Sequence, residues 1–231
     1  MKNLSEKLKK KVGVFIDTSC PRGVVAVISN GNVLSEEFII RISRYSEELV
    51  ITIEKCLIKA KIKNNKLDFV CVGNGPGSFI GTRIAVSHAK GFCFGLGLKL
   101  FSINTLQALA ASVKLSTIEN AIVLVDAKRS EFFYVEFYKK NLNNKQIINF
   151  INSPKTIPYD KIQELCKNKQ IIVGYGFQSK LNLLTKEIIT LNGPTANGML
   201  MVLNQKVENL SKCFDEIYSC KPNYCRQAIV K

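Results

Sequence analysis

The chain has 231 residues, 46% of them hydrophobic, with 33 Lys and Arg against 18 Asp and Glu for a formal net charge of +15. That apolar content fills one large core or two small ones and excludes a disordered chain. The charge by itself selects no partner: it is +8 over residues 1–110 and +7 over 111–231, and 27 lysines, 6 arginines and 20 asparagines read as a composition-wide bias rather than an arginine-rich binding face.

In chain order, the first apolar run is 12–16, behind the basic Lys9, Lys10 and Lys11. It is too short for a signal-peptide core, and no later run approaches a membrane span, so a cytoplasmic protein with no membrane segment is expected. Short β-branched runs at 12–17, 24–29 and 33–40 are separated by Pro21-Arg22-Gly23 and Asn30-Gly31-Asn32, which predicts a three-stranded antiparallel meander. A helix over 44–62, a strand over 69–72, a helix over 78–95, a strand over 98–102 and a short helix opened by Asn104 follow. The same order then begins again, with strands at 121–126, 132–138 and 146–151, a helix over 159–166, a strand over 170–173 and a helix over 194–213. Two tandem β-β-β-α-β-α units imply an α/β protein with mixed sheets and a cleft between halves, residues 1–112 and 113–231.

The segment from Gly73 to Arg83, GNGPGSFIGTR, joins a buried strand directly to a helix. Its glycines permit a sharp turn, Pro76 fixes one φ angle, and Ser78 is placed to cap the helix. Walker A fails because Pro76 stands five residues before Gly81 and Thr82-Arg83 follows in the wrong order; the dinucleotide pattern fails at Ser78 and Ile80; a nucleophile elbow fails because Pro76 and Ile80 flank Ser78 at two residues. A tight structural turn and an anion site at the helix N-terminus both stay open.

Eight cysteines without a Cys-x-x-Cys pair fit a reducing compartment; Cys56, Cys71 and Cys93 read as core residues, and Cys213, Cys220 and Cys225 are spaced too irregularly for a zinc module. The one histidine, His88, falls inside a helix, which leaves no metal constellation and little room for a hydrolase triad. The two central helices are too apolar to face water on one side. Leu49, Val50, Ile53, Cys56, Leu57 and Ala60 form the expected core stripe of the first, while Ile51, Ile58 and Ile62 form a second stripe on its far side. In the next, Arg83, Ser87 and Lys90 leave only a narrow polar strip, so both helices are expected to be buried twice, once on their sheet and once on a partner.

The residues Ile16-Asp17-Thr18-Ser19, GPGSF with the following Gly81-x-Arg83, Ala89-Lys90-Gly91, Asn104-Thr105-Leu106, Asp126-Ala127-Lys128, Gly174-x-Gly176 and Pro222-x-Tyr224-x-Arg226 resemble the TsaB (YeaZ) family of tRNA threonylcarbamoyladenosine biosynthesis proteins. The resemblance implies an actin-like (ASKHA) ATPase fold of two subdomains. It also implies a non-catalytic partner subunit for TsaD, acting with TsaE and meeting tRNA through the complex, or a homodimer when TsaD is absent. The implied partner interface carries Ile51, Ile58, Ile62, Arg83, Val86 and Lys90. Asp17, Gly75, Gly77, Ser78, Gly174 and Gly176 mark where ATPases of this fold bind phosphates; no cofactor of the chain's own is expected, only weak nucleotide binding at the complex interface. The turn 126–131 lacks the glycine a phosphate clamp needs. The readings set against the partner role are an autonomous actin-like ATPase or kinase and an M22-type peptidase homologue. Pro21-Arg22-Gly23, Ile80 and Thr82 depart from the family pattern, as does the basic stretch before the first strand, read as an arm.

Overall fold

The structure, a computed structural model, describes residues 8–40, 44–115, 117–142, 145–177, 187–209 and 217–225. The first half holds strands β1 (Val12–Asp17), β2 (Gly23–Ser29) and β3 (Asn32–Ile39), helix α1 (Tyr45–Ala60), β4 (Phe69–Gly73), α2 (Phe79–Leu96), β5 (Lys99–Ile103) and α3 (Thr105–Ser112). This is the predicted order. The second half holds β6 (Ile118–Asp126), β7 (Glu131–Leu142), β8 (Lys145–Phe150), β9 (Lys155–Pro158), α4 (Tyr159–Cys166), β10 (Ile171–Tyr175), β11 (Glu187–Thr190) and α5 (Ala196–Asn209). Two short strands, β9 and β11, escape the sequence reading. Each is four residues long, and β11 lies at a sheet edge where alternation of apolar and polar residues is not required.

The sheets repeat one connectivity. The first runs β3-β2-β1-β4-β5, with β1, β2 and β3 antiparallel and β4 and β5 added in parallel. The second runs β8-β7-β6-β10-β11 with the same senses, β9 pairing with β7 besides. Taking β6, β7, β8, β10 and β11 for β1 to β5 superimposes the two plans, which is the duplicated mixed-sheet architecture of the actin-like fold.

Alternation along the central strands assigns the layers. Val14 and Ile16 of β1 point with Val70 and Val72 of β4 to one face, where Leu49, Ile53, Ala85, Val86 and Ala89 of α1 and α2 cover them. Phe15, Phe69 and Cys71 point to the other face and meet α3 and α5, which in turn pack on Ala121, Val123 and Val135 of the second sheet. Helix α4 closes the far side over Ile122, Leu124 and Phe132. The order is therefore α1/α2, sheet, α3/α5, sheet, α4. Close contact in the middle is enforced by Gly198 of α5, where any Cβ would collide with the Ser112 hydroxyl of α3.

Local signals place the helix ends as expected. Ser78 caps α2 by accepting from Gly81 N at 3.2 Å, and Asn104 caps α3 by accepting from Leu106 N and Gln107 N at 2.9 and 3.3 Å. The basic start is not free from residue 8 onward: Leu8 is buried, and Lys11 pairs with Asp68 at 2.7 Å. Residues 1–7 lie outside the described residues. So do Cys213 and Arg226, while Cys56, Cys71 and Cys93 are buried in core contacts.

Candidate functional site

Strand β1 delivers Asp17 to the point where its sheet meets the glycine turn. The side chain is fully buried, its Oδ1 accepting from Ser19 N at 2.8 Å and Ser19 Oγ at 2.5 Å, its Oδ2 from Thr105 Oγ1 at 2.8 Å. Burial pushes its carboxyl above the ordinary range, against the pull of these hydrogen bonds. Gly73 lies beside it, and a Cβ there would strike the carboxylate itself. Asp17 is thus sealed against its own chain rather than aimed at a cleft.

The turn that follows is packed in the same manner. Ser78 N donates to Ser19 O at 2.7 Å, Thr18 Oγ1 donates to Gly81 O at 2.7 Å, and Gly77 and Gly81 each lie so close to the 18–19 backbone that a Cβ would collide with a carbonyl oxygen. Gly75 needs its glycine for a φ of +93° and for the approach of Asn223 O. Of the two openings left by the sequence, the structural turn accounts for every one of these glycines.

A segment near the C-terminus lies across this turn. Asn223 N donates to Asn74 O at 2.7 Å, and Tyr224 accepts from Arg83 Nε at 2.7 Å while its ring sits 5.2 Å from that of Phe79. The Arg83 guanidinium stacks 3.7 Å above the Phe79 ring. This explains why Pro222-x-Tyr224 belongs with the glycine turn although some 140 residues separate them in sequence.

The second half mirrors the site. Asp126 ends β6 as Asp17 ends β1, and Gly176 stands over Asp126 as Gly73 stands over Asp17. Gly174, at φ +130°, presses on Leu124 O, and Gly176, at φ +77°, on Asp126 Cβ. Asp126 accepts from Lys128 N at 3.0 Å and from Tyr159 Oη at 2.6 Å, with Lys128 Nζ at 2.9 Å. Lys128, Arg129 and Ser130 all take positive φ, a turn built without glycine. Between the halves, Arg22 donates to Gly193 O at 2.8 Å and its own N–H to Asn192 O at 2.8 Å, while Tyr175 meets the Cys20 thiol. Arg22, one of the departures from the family pattern, occupies the seam as a lock.

The outer face of α1 and α2 is different in kind. Ile51 and Ile58 are 65% and 70% exposed, and Ile80 and Phe94 of α2 are 66% and 71% exposed. Arg83 is exposed and Lys90 half-buried on the same helix. Two expected members do not reach this face: Val86 is buried against the sheet, and Ile62 is half-buried on the same core after α1 has ended. Val50, read as core, is exposed instead. The 100° spacing leaves Val50 at the edge of the apolar stripe, beyond the cover of the sheet. The sequence reading misses Phe94, because on a 100° wheel it falls among Arg83, Ser87 and Lys90, the strip read as polar. His88 Nδ1 lies 2.9 Å from Ile84 O, an in-helix contact.

Comparisons with known proteins agree with this architecture. The family described as TsaD, tRNA N6-adenosine threonylcarbamoyltransferase, matches residues 33–167. The tRNA threonylcarbamoyladenosine biosynthesis protein TsaB of Haemophilus influenzae is 24% identical over 191 residues, 80% of this chain and 81% of that protein. TsaB of Buchnera aphidicola subsp. Schizaphis graminum is 27% identical over 205 residues, 85% and 96% of the two chains. Among solved structures, a Pseudomonas aeruginosa protein with similarity to peptidase YEAZ superposes with a TM-score of 0.79 at 18% identity, covering 94% of this chain and all 100% of that one. The matched span, the relatives and the repeated sheet plan converge: the chain belongs to the TsaB/YeaZ family, within the wider family of tRNA N6-adenosine threonylcarbamoyltransferases.

Proposed function

We propose that this chain takes part in tRNA threonylcarbamoyladenosine biosynthesis as a non-catalytic partner subunit, docking through α1 and α2 onto the catalytic TsaD. The observation that carries this reading is the outward apolar face of Ile51, Ile58, Ile80 and Phe94 on two adjacent helices, rimmed by Arg83 and Lys90. Monomeric proteins rarely leave large contiguous apolar patches in water, and partner docking covers exposed apolar side chains of this kind. In the absence of TsaD a second copy covers the same face. TsaE and tRNA join through the TsaD complex, in the cytoplasm; among the described residues no helix is long and apolar enough to cross a membrane. The two subdomains divide at residues 112 and 113.

Asp17 supports the same reading from the opposite direction. An acidic residue that coordinates a nucleotide's cation must present oxygens to the cleft, and both oxygens of Asp17 are engaged by Ser19 and Thr105. Weak nucleotide contact therefore belongs at the interface with TsaD rather than in the seam that Arg22 fills. The test is reconstitution with tRNA and threonylcarbamoyl-AMP, with and without TsaD and TsaE. Modification is expected only when TsaD is present; transfer catalysed by this chain alone would overturn the proposal.

A further inference from the structure

A groove of about 510 Å³ opens where β5, α3, β8, α5 and the segment at Asn223 meet, and neither Asp17, Asp126, Gly174 nor Gly176 lines it. Its size falls within the range of small-ligand sites, roughly 300–1,000 Å³. Its chemistry is unusual: among the described residues six carboxamides, those of Asn74, Asn104, Gln107, Asn149, Gln205 and Asn223, line it together with the cation Lys206, and no carboxylate does. Ile103, Ile148, Phe150 and Val202 supply apolar surface between them.

Several of these amides are unspent. Asn104 uses its Oδ1 to cap α3, and its Nδ2 has no partner; the Gln107 and Asn149 side chains make no hydrogen bond among the described residues. Others are fixed in place, Gln205 by donating to Ile148 O at 2.8 Å and Asn74 by donating to Lys221 O at 3.4 Å. Half-buried polar groups without partners cost stability that a bound ligand returns. A carboxamide offers a donor and an acceptor side by side, the complement of a nucleobase edge, which alternates the same groups in one plane. Apolar surface suits the faces of such a ring, and RNA-binding proteins combine apolar or aromatic contact with hydrogen bonds to base edges when they read unstacked bases. No carboxylate among the described lining residues repels an attached phosphate, and the net charge of +15 attracts it.

We propose that this groove is a nucleobase-binding site, accepting one base with its ribose, read by the Gln107 and Asn149 carboxamides. The base comes either from a free nucleotide or from an unpaired position of an RNA strand, and the assignment is independent of the docking face on α1 and α2. The full chain is titrated calorimetrically with AMP, with UMP and with a short single-stranded RNA of mixed sequence. Saturable binding is expected, weakened at least tenfold by Gln107→Ala with Asn149→Ala, and left unchanged by Lys161→Ala on the exposed side of α4. Gln107→Glu, equal in size but without the donor, gives a comparable loss with an unaltered melting curve and covers the case in which the double variant fails to fold. Binding of the mononucleotides identifies the free ligand as the source; binding of the RNA alone, with the same losses, identifies a base within a strand. The assignment falls if none of the three probes saturates, or if RNA binds and the carboxamide variants keep the wild-type affinity, since lysine contacts to phosphate then account for it.

Discussion

Replacing Ile51 and Ile58 together by Asp separates docking from folding, because the two side chains project from α1 into solvent while Leu49, Ile53, Cys56 and Leu57 hold the helix to the sheet. At 65% and 70% exposure each leaves about two thirds of its surface to be covered by a partner. Burying a whole Ile side chain is worth about 1.5–3 kcal/mol, so covering that fraction is worth about 1–2 kcal/mol per residue. The pair together then accounts for about 2–4 kcal/mol, or roughly 30- to 1,000-fold in Kd, before the cost of desolvating two carboxylates is added. Folding loses little: surface changes of this kind stay within about 0.5 kcal/mol each, and for a chain of this size that lowers Tm by at most a few degrees. Ile53 is the internal control. It is 6% exposed against the sheet, and Ile53→Asp buries an unpaired charge, so that variant loses its cooperative melt. The assay pairs calorimetric titration against TsaD with circular-dichroism melts of each variant alone. A double variant that melts normally and binds TsaD with unchanged affinity would refute the docking argument; one that unfolds would show that the stripe is core.

Further outcomes follow from the packing. Asp17→Asn should leave the fold intact and raise stability at neutral pH: its folded carboxyl is held above 3.8 by burial, so the native state binds the proton more readily and stability falls as pH rises from 3.8 through the folded value, a slope that a urea titration across acid pH will find in the wild type and not in the variant. TsaD-dependent modification should survive that change, and its loss would restore the reading of Asp17 as part of a phosphate cleft. Lys139 is buried with its ammonium donating to Ala111 O and Val113 O at 3.1 and 2.6 Å, and burial lowers it from 10.5 to about 8. Between those values the unfolded chain holds more protons, so stability should rise with pH by up to about 3 kcal/mol, and Lys139→Met should flatten that rise in denaturant melts recorded from pH 7 to 10. Gly77→Ala drives a methyl into the Ser19 carbonyl and should cost more than about 2 kcal/mol, whereas Gly91→Ala meets no atom within 4 Å on the outer face of α2 and should stabilise the monomer by up to about 1 kcal/mol in thermal melts.

Much of the fold was legible because most of its elements obey local rules. The β1 to β3 meander is punctuated by Pro21, Gly23 and Gly31, α2 and α3 carry capping residues in the sequence positions where the structure uses them, and α4 begins and ends where its pattern does. The β9 and β11 strands were not legible, since four residues at the margin of a sheet are defined by their partners rather than by their own periodicity. The site was legible in residue type but not in consequence. Asp17 and the glycines were identifiable as a unit, yet that Ser19 and Thr105 take both carboxylate oxygens depends on a contact across 88 residues, and the cover from Tyr224 depends on one across 141. Val86, expected on the interface, is inside for a related reason: it is apolar on a helix apolar nearly all round, and only the position of the sheet decides which residues are covered.

The two aspartates show how one duplicated plan can be closed by different chemistry. Asp17 and Asp126 sit at equivalent strand ends, each crowded by a glycine of the parallel neighbouring strand or of the turn that follows it. In the first half the closing partners are hydroxyls, Ser19 and Thr105, neutral groups that leave a buried charge to be borne by hydrogen bonds alone. In the second half the partners are Lys128 and the Tyr159 hydroxyl, and the lysine neutralises the carboxylate at an exposed rim. The consequence differs with solvent access. Screening makes the Lys128 pair weak and replaceable, while the sealed Asp17 cluster is coupled to Thr105 at the start of α3 and, through the Gly75 amide donating to Thr105 Oγ1 at 3.1 Å, to the glycine turn that launches α2. Because α2 carries Ile80 and Phe94 of the proposed docking face, this cluster ties the start of that helix to the sheet beneath it. Perturbing Thr105 should therefore weaken docking without touching the surface, whereas perturbing Lys128 should not.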